Sequence, residues 1–348
     1  MKIKNQILYF VAVLSVALLT FSCTETSEDV VKLPSIVDIA KSDSANFSIL
    51  VDALTKTGLV TTLSNAGSYT VFAPTNAAFT KAGITSATIN ALKPEVPADA
   101  VKIADLKLIL QNHVIGIGTR SSDLLAGGYF KTFGFFKANA TATSGANLSM
   151  YVSKPAADVL INGGVTNGGA KVITADIDAS NGVVHVIDSV LGLPTIVQHT
   201  IANPNLSSLL GVVTSPAQAT VLATLSAATN LLPITVYAPI NGAFTTASGT
   251  GGYLVGKTDA DITKILNYHL EKSNRVANVP NVNFPTAFLA TADITVTTLF
   301  PTYTFVITKS TLKIVDKSVP AVNANATILN IQGTNGSIHI IDKVMRSL

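Results

Sequence analysis

The chain says the same thing twice. "LPSIVDIA" at 33–40 returns as "LPTIVQHT" at 193–200, and "YTVFAPTNAAF" at 69–79 returns as "ITVYAPINGAF" at 234–244. "LILQNHV" at 108–114 returns as "KILNYHL" at 264–270, and "NGVVHVIDSVLGLP" at 181–194 as "NGSIHIIDKVMRSL" at 335–348. The pairs Pro34/Pro194, Pro74/Pro239, His113/His269 and His185/His339 lie 160, 165, 156 and 154 residues apart. One order with drifting separations means two homologous domains that differ by loop insertions and deletions, at a period far longer than that of a solenoid. The boundaries read as 34–194 and 195–348, consistent with 348 residues in all. With 48% hydrophobic and only 12% charged residues, the chain can fill two cores and is not a charge-rich disordered polymer.

Each block has a local reading. "YTVFAP" alternates and is rich in β-branched and aromatic residues, so it is a strand that its proline ends. After it, Thr75 or Asn76 is placed to cap a helix; in the second copy Ile240 replaces the threonine, which leaves Asn241. Leu106, Ile109, Leu110 and His113 fall at helical spacing behind Asp105 as a cap, and Ile262, Ile265, Leu266 and His269 repeat this behind Asp261. The last third of each copy consists of short β-branched runs broken by Asn-Gly and Gly-Gly turns. Helices first and strands later predict an α+β fold. "GLPTIV" runs from one domain into the next almost without a linker, which predicts a restricted relative orientation.

The ordered trio of "TVFAPTNAAF", the helix ending in "NHV" or "YHL", and the closing "NGVVHVIDSVLGLP" resembles fasciclin-like domains over about residues 34–348. The resemblance implies two tandem domains, each a β-sandwich or wedge of about seven strands with a helical layer, used in cell-surface and matrix adhesion. Asn112 stands where that family favours tyrosine, and the second copy ends without Leu-Pro. In animal members the Tyr-His segment resembles a receptor-binding patch; the matching residues here are Asn112, His113, Tyr268 and His269. The competing reading is that these four close the helix against the strands.

Histidine titrates near neutrality and invites a catalytic reading of His185 and His339. In a strand, however, His185 shares a face with Val183 and Ile187 while Val184 and Val186 oppose it beside Asp188. His339 and Asp342 stand in the same arrangement, so all four read as structural. His199 occurs in one copy only, aligned with Ile39, and reads as a surface helix residue. Two imidazoles per repeat, without nearby cysteine and with scattered acids, do not make a metal site, so no metal and no cofactor is expected. No Gly-x-Ser-x-Gly elbow occurs, and the glycine-rich "INGGVTNGG" at 161–169 lacks the Gly-Lys-Ser/Thr ending of a phosphate cradle and reads as a hairpin. The expectation is a non-enzymatic protein.

The first residues belong to export. Lys2 and Lys4 precede an apolar run, Ile7 to Phe21, then Ser22 and the sole cysteine, Cys23. This resembles a bacterial lipoprotein signal, with residues 1–22 removed and Cys23 lipidated; an ordinary signal peptide with an incidental cysteine is the alternative. Residues 23–33 then form a tether of at most roughly 35 Å. Its Glu25, Glu28 and Asp29 are either an export signal or a solvated spacer. Removing residues 1–22 takes Lys2 and Lys4 and no acid, so the net charge falls from +3 to +1 and no nucleic-acid footprint remains. Asp43-Ser44-Ala45 resembles an O-glycosylation acceptor of exported proteins. The chain thus reads as an adhesion lipoprotein, exported and lipid-anchored at the outer membrane of a Gram-negative bacterium and surface-exposed. It would meet a protein or polysaccharide at the cell surface or matrix. A glycan-binding accessory to outer-membrane uptake is the alternative; the chain has no tryptophan, but Tyr129, Tyr151, Tyr253 and Tyr303 remain as platforms.

Overall fold

"YTVFAP" forms β1 (Tyr69–Pro74), and the closing phrase of the first copy forms β7 (Gly182–Ile187), which lies beside it in parallel with Phe72 opposite His185. Between them β2 (Val114–Ile115), β3 (Gly127–Phe135), β4 (Asn147–Ser153), β5 (Leu160–Ile161) and β6 (Ala170–Ala179) pair in sequence, all antiparallel, and close the strands into a barrel. The second copy repeats the plan with β8 (Ile234–Pro239), β9 (Leu270–Glu271), β10 (Ile294–Thr297), β11 (Thr304–Ile307), β12 (Lys313–Val315), β13 (Asn323–Gly333) and β14 (Gly336–Ile341). Its strand order is β10-β11-β12-β13-β14-β8-β9, with β14 parallel to β8 and His339 opposite Tyr237. The computed structural model describes residues 33–348 except 125–126, 140–141, 157, 277–292, 301–302, 309–312, 319–320 and 347–348. The apolar N-terminal run, Cys23 and the rest of the tether up to residue 32 lie outside the described residues. Seven strands and a helical layer in each repeat agree with the expected α+β architecture. Among the described residues no single helix is long and apolar enough to cross a membrane.

Strand alternation divides each repeat into two cores. Val184 and Val186 pack on the helical layer with Leu54, Phe79 and Leu110, while Ile187 turns into the barrel with Phe72, Met150 and Ile161. Ile338 and Ile340 meet Leu209, Phe244 and Leu266, while Ile341 joins Tyr237, Tyr268 and Phe305. Each such side chain contributes about 1.5–3 kcal/mol by leaving water.

The helix starts differ from expectation. Thr75 caps its helix by accepting from the Ala78 amide at 3.2 Å. Asn76 instead bridges two helices, accepting from Ile49 N at 2.9 Å and donating to the Ala45 carbonyl at 2.9 Å. Asn241 does the same in the second copy, accepting from Ser208 N and donating to Pro204 O, both at 2.9 Å. Asn241 is therefore not a cap; Ile240 holds that position without a side-chain bond. Asp105 is not a cap either, because its helix begins at Pro97 and runs to Asn112. Thr258 caps the helix Asp259–Tyr268, and Asp261 is its partner in a capping box.

The Asn-Gly before each closing strand does more than turn the chain. Asn181 is buried; its Oδ1 accepts from Ile36 N at 3.0 Å, and its Nδ2 donates to Leu63 O at 2.7 Å and Asn65 O at 2.9 Å. It ties the first helix, a helix end and the last hairpin together, and Asn335 repeats the bond to Ile196 N at 2.9 Å. Gly182 (φ 154°) and Gly336 (φ 148°) sit so close to β1 and β8 that a Cβ would strike the Tyr69 or Ile234 carbonyl. Asn181→Ala is therefore expected to cost about 3 kcal/mol in urea unfolding, the scale of leaving buried amide and carbonyl groups unpaired, and Gly182→Ala still more. A change below about 0.5 kcal/mol for Asn181→Ala, within the range of an ordinary surface substitution, would show that the residue is only a turn former.

Candidate functional site

All five histidines are buried, and four of them form two repeated clamps. His113 ends its helix: Nδ1–H donates to Ile109 O at 2.8 Å and Nε2 accepts from Leu191 N at 2.9 Å. His269 does the same with Ile265 O at 2.8 Å and Met345 N at 3.0 Å. Each ring fastens a helix end to the segment behind the closing strand. His185 uses the other tautomer: Nε2–H donates to Thr119 O at 3.0 Å and Nδ1 accepts from Asp176 N at 3.2 Å. His339 matches it with Arg275 O at 3.0 Å and Asn330 N at 3.3 Å. Phe72 stacks on His185 and Tyr237 lies against His339, at 5.4 and 5.5 Å between ring centroids. Both nitrogens of each of these four rings bond backbone groups of the chain itself, and all four rings are buried.

Asp188 and Asp342 close hairpins. Asp188 Oδ1 accepts from Lys171 N at 2.8 Å, and Asp342 accepts from the backbone and side chain of Asn325, both at 2.7 Å. Asn112 and Tyr268 occupy equivalent buried positions. Asn112 bonds Gly192 O and Thr132 Oγ1, each at 3.1 Å, and Tyr268 donates to Thr304 O at 3.0 Å. The segment considered as an interaction patch is thus internal in both copies. Asn112, His113, Tyr268 and His269 fasten helix to strands and present no side chain to a partner. Among the described residues no group of three or more His, Cys, Asp or Glu side chains is arranged to hold a metal ion.

His199 is a correction: it is fully buried rather than on the surface. The face of its helix (Ile196–Ala202) is covered by the first domain, whose Tyr129 ring lies 5.7 Å away, while its Nε2–H donates to Gln332 O at 3.2 Å. The seam between domains is polar. Lys131 reaches from β3 to Ser149 Oγ at 2.9 Å and to the Asn330 carbonyl, and Gln332 N donates to Ser149 Oγ at 2.9 Å. Asn167 and Gln198 exchange side chain-to-carbonyl bonds at 2.8 and 3.1 Å, and Asn230 donates to Lys137 O at 2.9 Å. The expected restriction of orientation has this origin. Tyr129 and Tyr151, two of the four candidate platforms, lie 4.8 Å apart in or beside this seam and are buried or nearly so.

Tyr253 and Tyr303 are placed otherwise. They line an open cleft of about 180 Å³ on the second domain with Lys257, Asp261, Lys264 and Phe300. The cavities beside His113 and His269 hold only about 20–30 Å³ and are almost wholly apolar. Sequence reasoning missed Lys131, Ser149, Gln332 and Phe300. For the seam one signal existed, the departure of His199 from its repeat partner Ile39.

Burial holds His113, His199, His269 and His339 near pKa 4, against 6.5 for an exposed imidazole. Between those values the unfolded chain binds protons that the folded chain refuses, so the histidine contribution to stability is full above pH 6.5 and falls as pH drops toward 4. Asp38 and Asp261, held low by their capping partners, lose their contribution only from their ordinary value of 3.8 downward. His113→Gln is expected to shallow the fall of melting temperature between pH 6.5 and 4, and an unchanged slope would refute this. Burial also brings Lys131 down to about 7 from 10.5, so stability is expected to rise with pH across that interval. Urea unfolding at a series of pH values should show the rise, and Lys131→Met should abolish it.

The model of the fasciclin domain family matches residues 45–194 and 204–347. An uncharacterized protein of Synechocystis sp. is 34% identical over 163 residues, 46% of this chain and 98% of that protein. Transforming growth factor-beta-induced protein ig-h3 of Sus scrofa is 33% identical over 160 residues, 46% of this chain and 19% of that protein. Among solved structures, a FAS1 domain pair from the insect cell adhesion molecule fasciclin I covers 89% of this chain and 95% of that chain, at 18% identity and a TM-score of 0.47. With two tandem matches over most of its length, this chain belongs to the fasciclin domain family.

Proposed function

We propose that this is a non-enzymatic, lipid-anchored envelope protein whose paired fasciclin domains mediate adhesion, binding a protein or polysaccharide at the cell surface or in the matrix. One observation carries the reading: the repeated ionisable residues are engaged internally in both copies, while a polar seam fixes the two domains against each other. What varies between the copies is then their outer loops, held in one arrangement. Two linked domains also raise avidity for a repetitive partner without new contacts. Cys23 provides the anchor through its acyl chains, at about 0.8 kcal/mol per buried CH₂, and the short tether keeps the first domain close to the outer membrane. A glycan-binding accessory role is the second reading, and the aromatic cleft of the second domain favours it.

Metabolic palmitate labelling, protease shaving of intact cells and a matrix-adhesion assay test the proposal together. Wild-type protein is expected to take up label, to be shaved from the cell surface and to promote attachment, whereas Cys23→Ser should lose the label and the attachment. Label persisting in Cys23→Ser, or attachment unchanged without the anchored protein, would refute it.

A further inference from the structure

One place in the two repeats is built in opposite ways. In the first, Lys137 from the β3–β4 connection meets Asp105 on the helix Pro97–Asn112 at 2.9 Å, and Asn230 of the second domain holds the Lys137 carbonyl. Asp261 is the matching aspartate of the second repeat, but there Phe300 and Tyr303 line a cleft with it in place of that lysine. Their rings lie parallel, 2° apart in tilt and 4.2 Å between centroids. Asp261 turns back to its own helix, accepting from Thr258 Oγ1 at 2.8 Å and meeting Lys264 at 3.5 Å. The cleft of the second domain lies where the first domain carries the Lys137–Asp105 ion pair.

The opening carries one cation in excess. Lys264 is paired with Asp261, whereas Lys257 has no carboxylate partner among the described residues. Its ammonium lies 4.7 Å from the centroid of the Tyr253 ring, and the Arg346 guanidinium lies 5.2 Å from the same ring, so aromatic faces hold these cations in place. At about 180 Å³ the cleft falls below the roughly 300 Å³ at which sites for drug-sized ligands begin, so it suits one ring-sized unit. The outer face of a stacked aromatic pair, with ammonium groups beside it, matches a ring with an apolar C–H face, a rim of hydroxyls and one carboxylate.

We infer that this cleft binds an acidic sugar residue, a uronate unit of a polysaccharide, with its C–H face on the Phe300–Tyr303 pair and its carboxylate toward Lys257 and Lys264. The inference rests on the glycan-binding reading of this cleft and not on the adhesive one: loss of sugar binding with attachment intact removes this site alone, and the converse removes the adhesive role alone.

Calorimetric titration of the full chain with a glucuronate-containing oligosaccharide tests it, with a glucose oligosaccharide and benzoate as controls. Saturable binding of the glucuronate ligand is expected, with both controls at least about tenfold weaker, a difference of about 1.4 kcal/mol. The double variant Lys257→Met, Lys264→Met should weaken binding at least about tenfold, and added salt should weaken it in the wild type. Tyr303→Ala should abolish it, while Lys137→Met at the matching place of the first domain should leave it unchanged; thermal melting checks that each variant is folded. Absence of binding, equal affinity for the glucose oligosaccharide or for benzoate, or folded cleft variants that bind like wild type would each overturn the assignment.

Discussion

The structure depends on a parallel strand pair that joins the beginning of each repeat to its end. β1 meets β7 and β8 meets β14, so more than a hundred residues separate partners that lie side by side. Such a pairing pays its loop entropy before any contact rewards it, and no short turn can set its register. The register is set by side chains instead. Each closing strand carries a histidine opposite an aromatic residue of the first strand, and an asparagine at its head grips the first helix. A neutral imidazole suits this position because one nitrogen donates and the other accepts, which satisfies two backbone groups on separate elements without burying a charge. The repeated phrase is conspicuous in the sequence because the whole closure passes through it.

β6 and β13 each carry a bulge opposite the closing strand, and it serves different ends in the two domains. Asp176 and Asn330 both adopt φ 62° and both donate their amides to the closing-strand histidine. In the first domain the Asp176 side chain caps the local loop at Ser121 N, 2.7 Å away. In the second, the Asn330 carbonyl accepts from Lys131 of the first domain. A carboxylate can hold its own loop in water; a neutral residue at the buried position in the seam avoids desolvating a second ionisable group. The two copies thus share their internal clamps and diverge where one domain meets the other.

That division explains what could be read from the residues alone. The alternation of Val184 and Val186 against His185 and Ile187 was legible because a strand has only two faces, and the two cores lie where period two puts them. The starts of the helices were not legible, because apolar spacing marks only the turns that face the core. Pro97, at the first position of its helix, precedes the buried stripe by more than two turns, and Asp105 merely stood where the stripe began. His199 was misplaced for a different reason. Whether the polar side of a helix meets water or a second domain depends on a surface about seventy residues away, at Tyr129 and Lys131. The Phe300–Tyr303 platform was hidden in the same way, since its meaning depends on a helix some forty residues earlier.

Repetition offers a control that a single-domain chain lacks. Where both copies keep a residue and its bonds, as at His113 and His269, folding accounts for it completely and function need not be invoked. Where they differ at matched positions, folding has been shown to work either way, and the difference needs another cause. By that criterion Ile39 and His199 mark the seam, which neither domain needs in order to close. Lys137 beside Asp105, against Phe300 and Tyr303 beside Asp261, marks the cleft. The first domain folds with an ion pair there and the second with aromatic rings, so the fold that the two share requires neither. Phe300 and Tyr303 are half-buried against the core of the second sheet, and the surface they leave uncovered lies beside Lys257, whose charge meets no carboxylate among the described residues, so an anionic ring is the covering that fits.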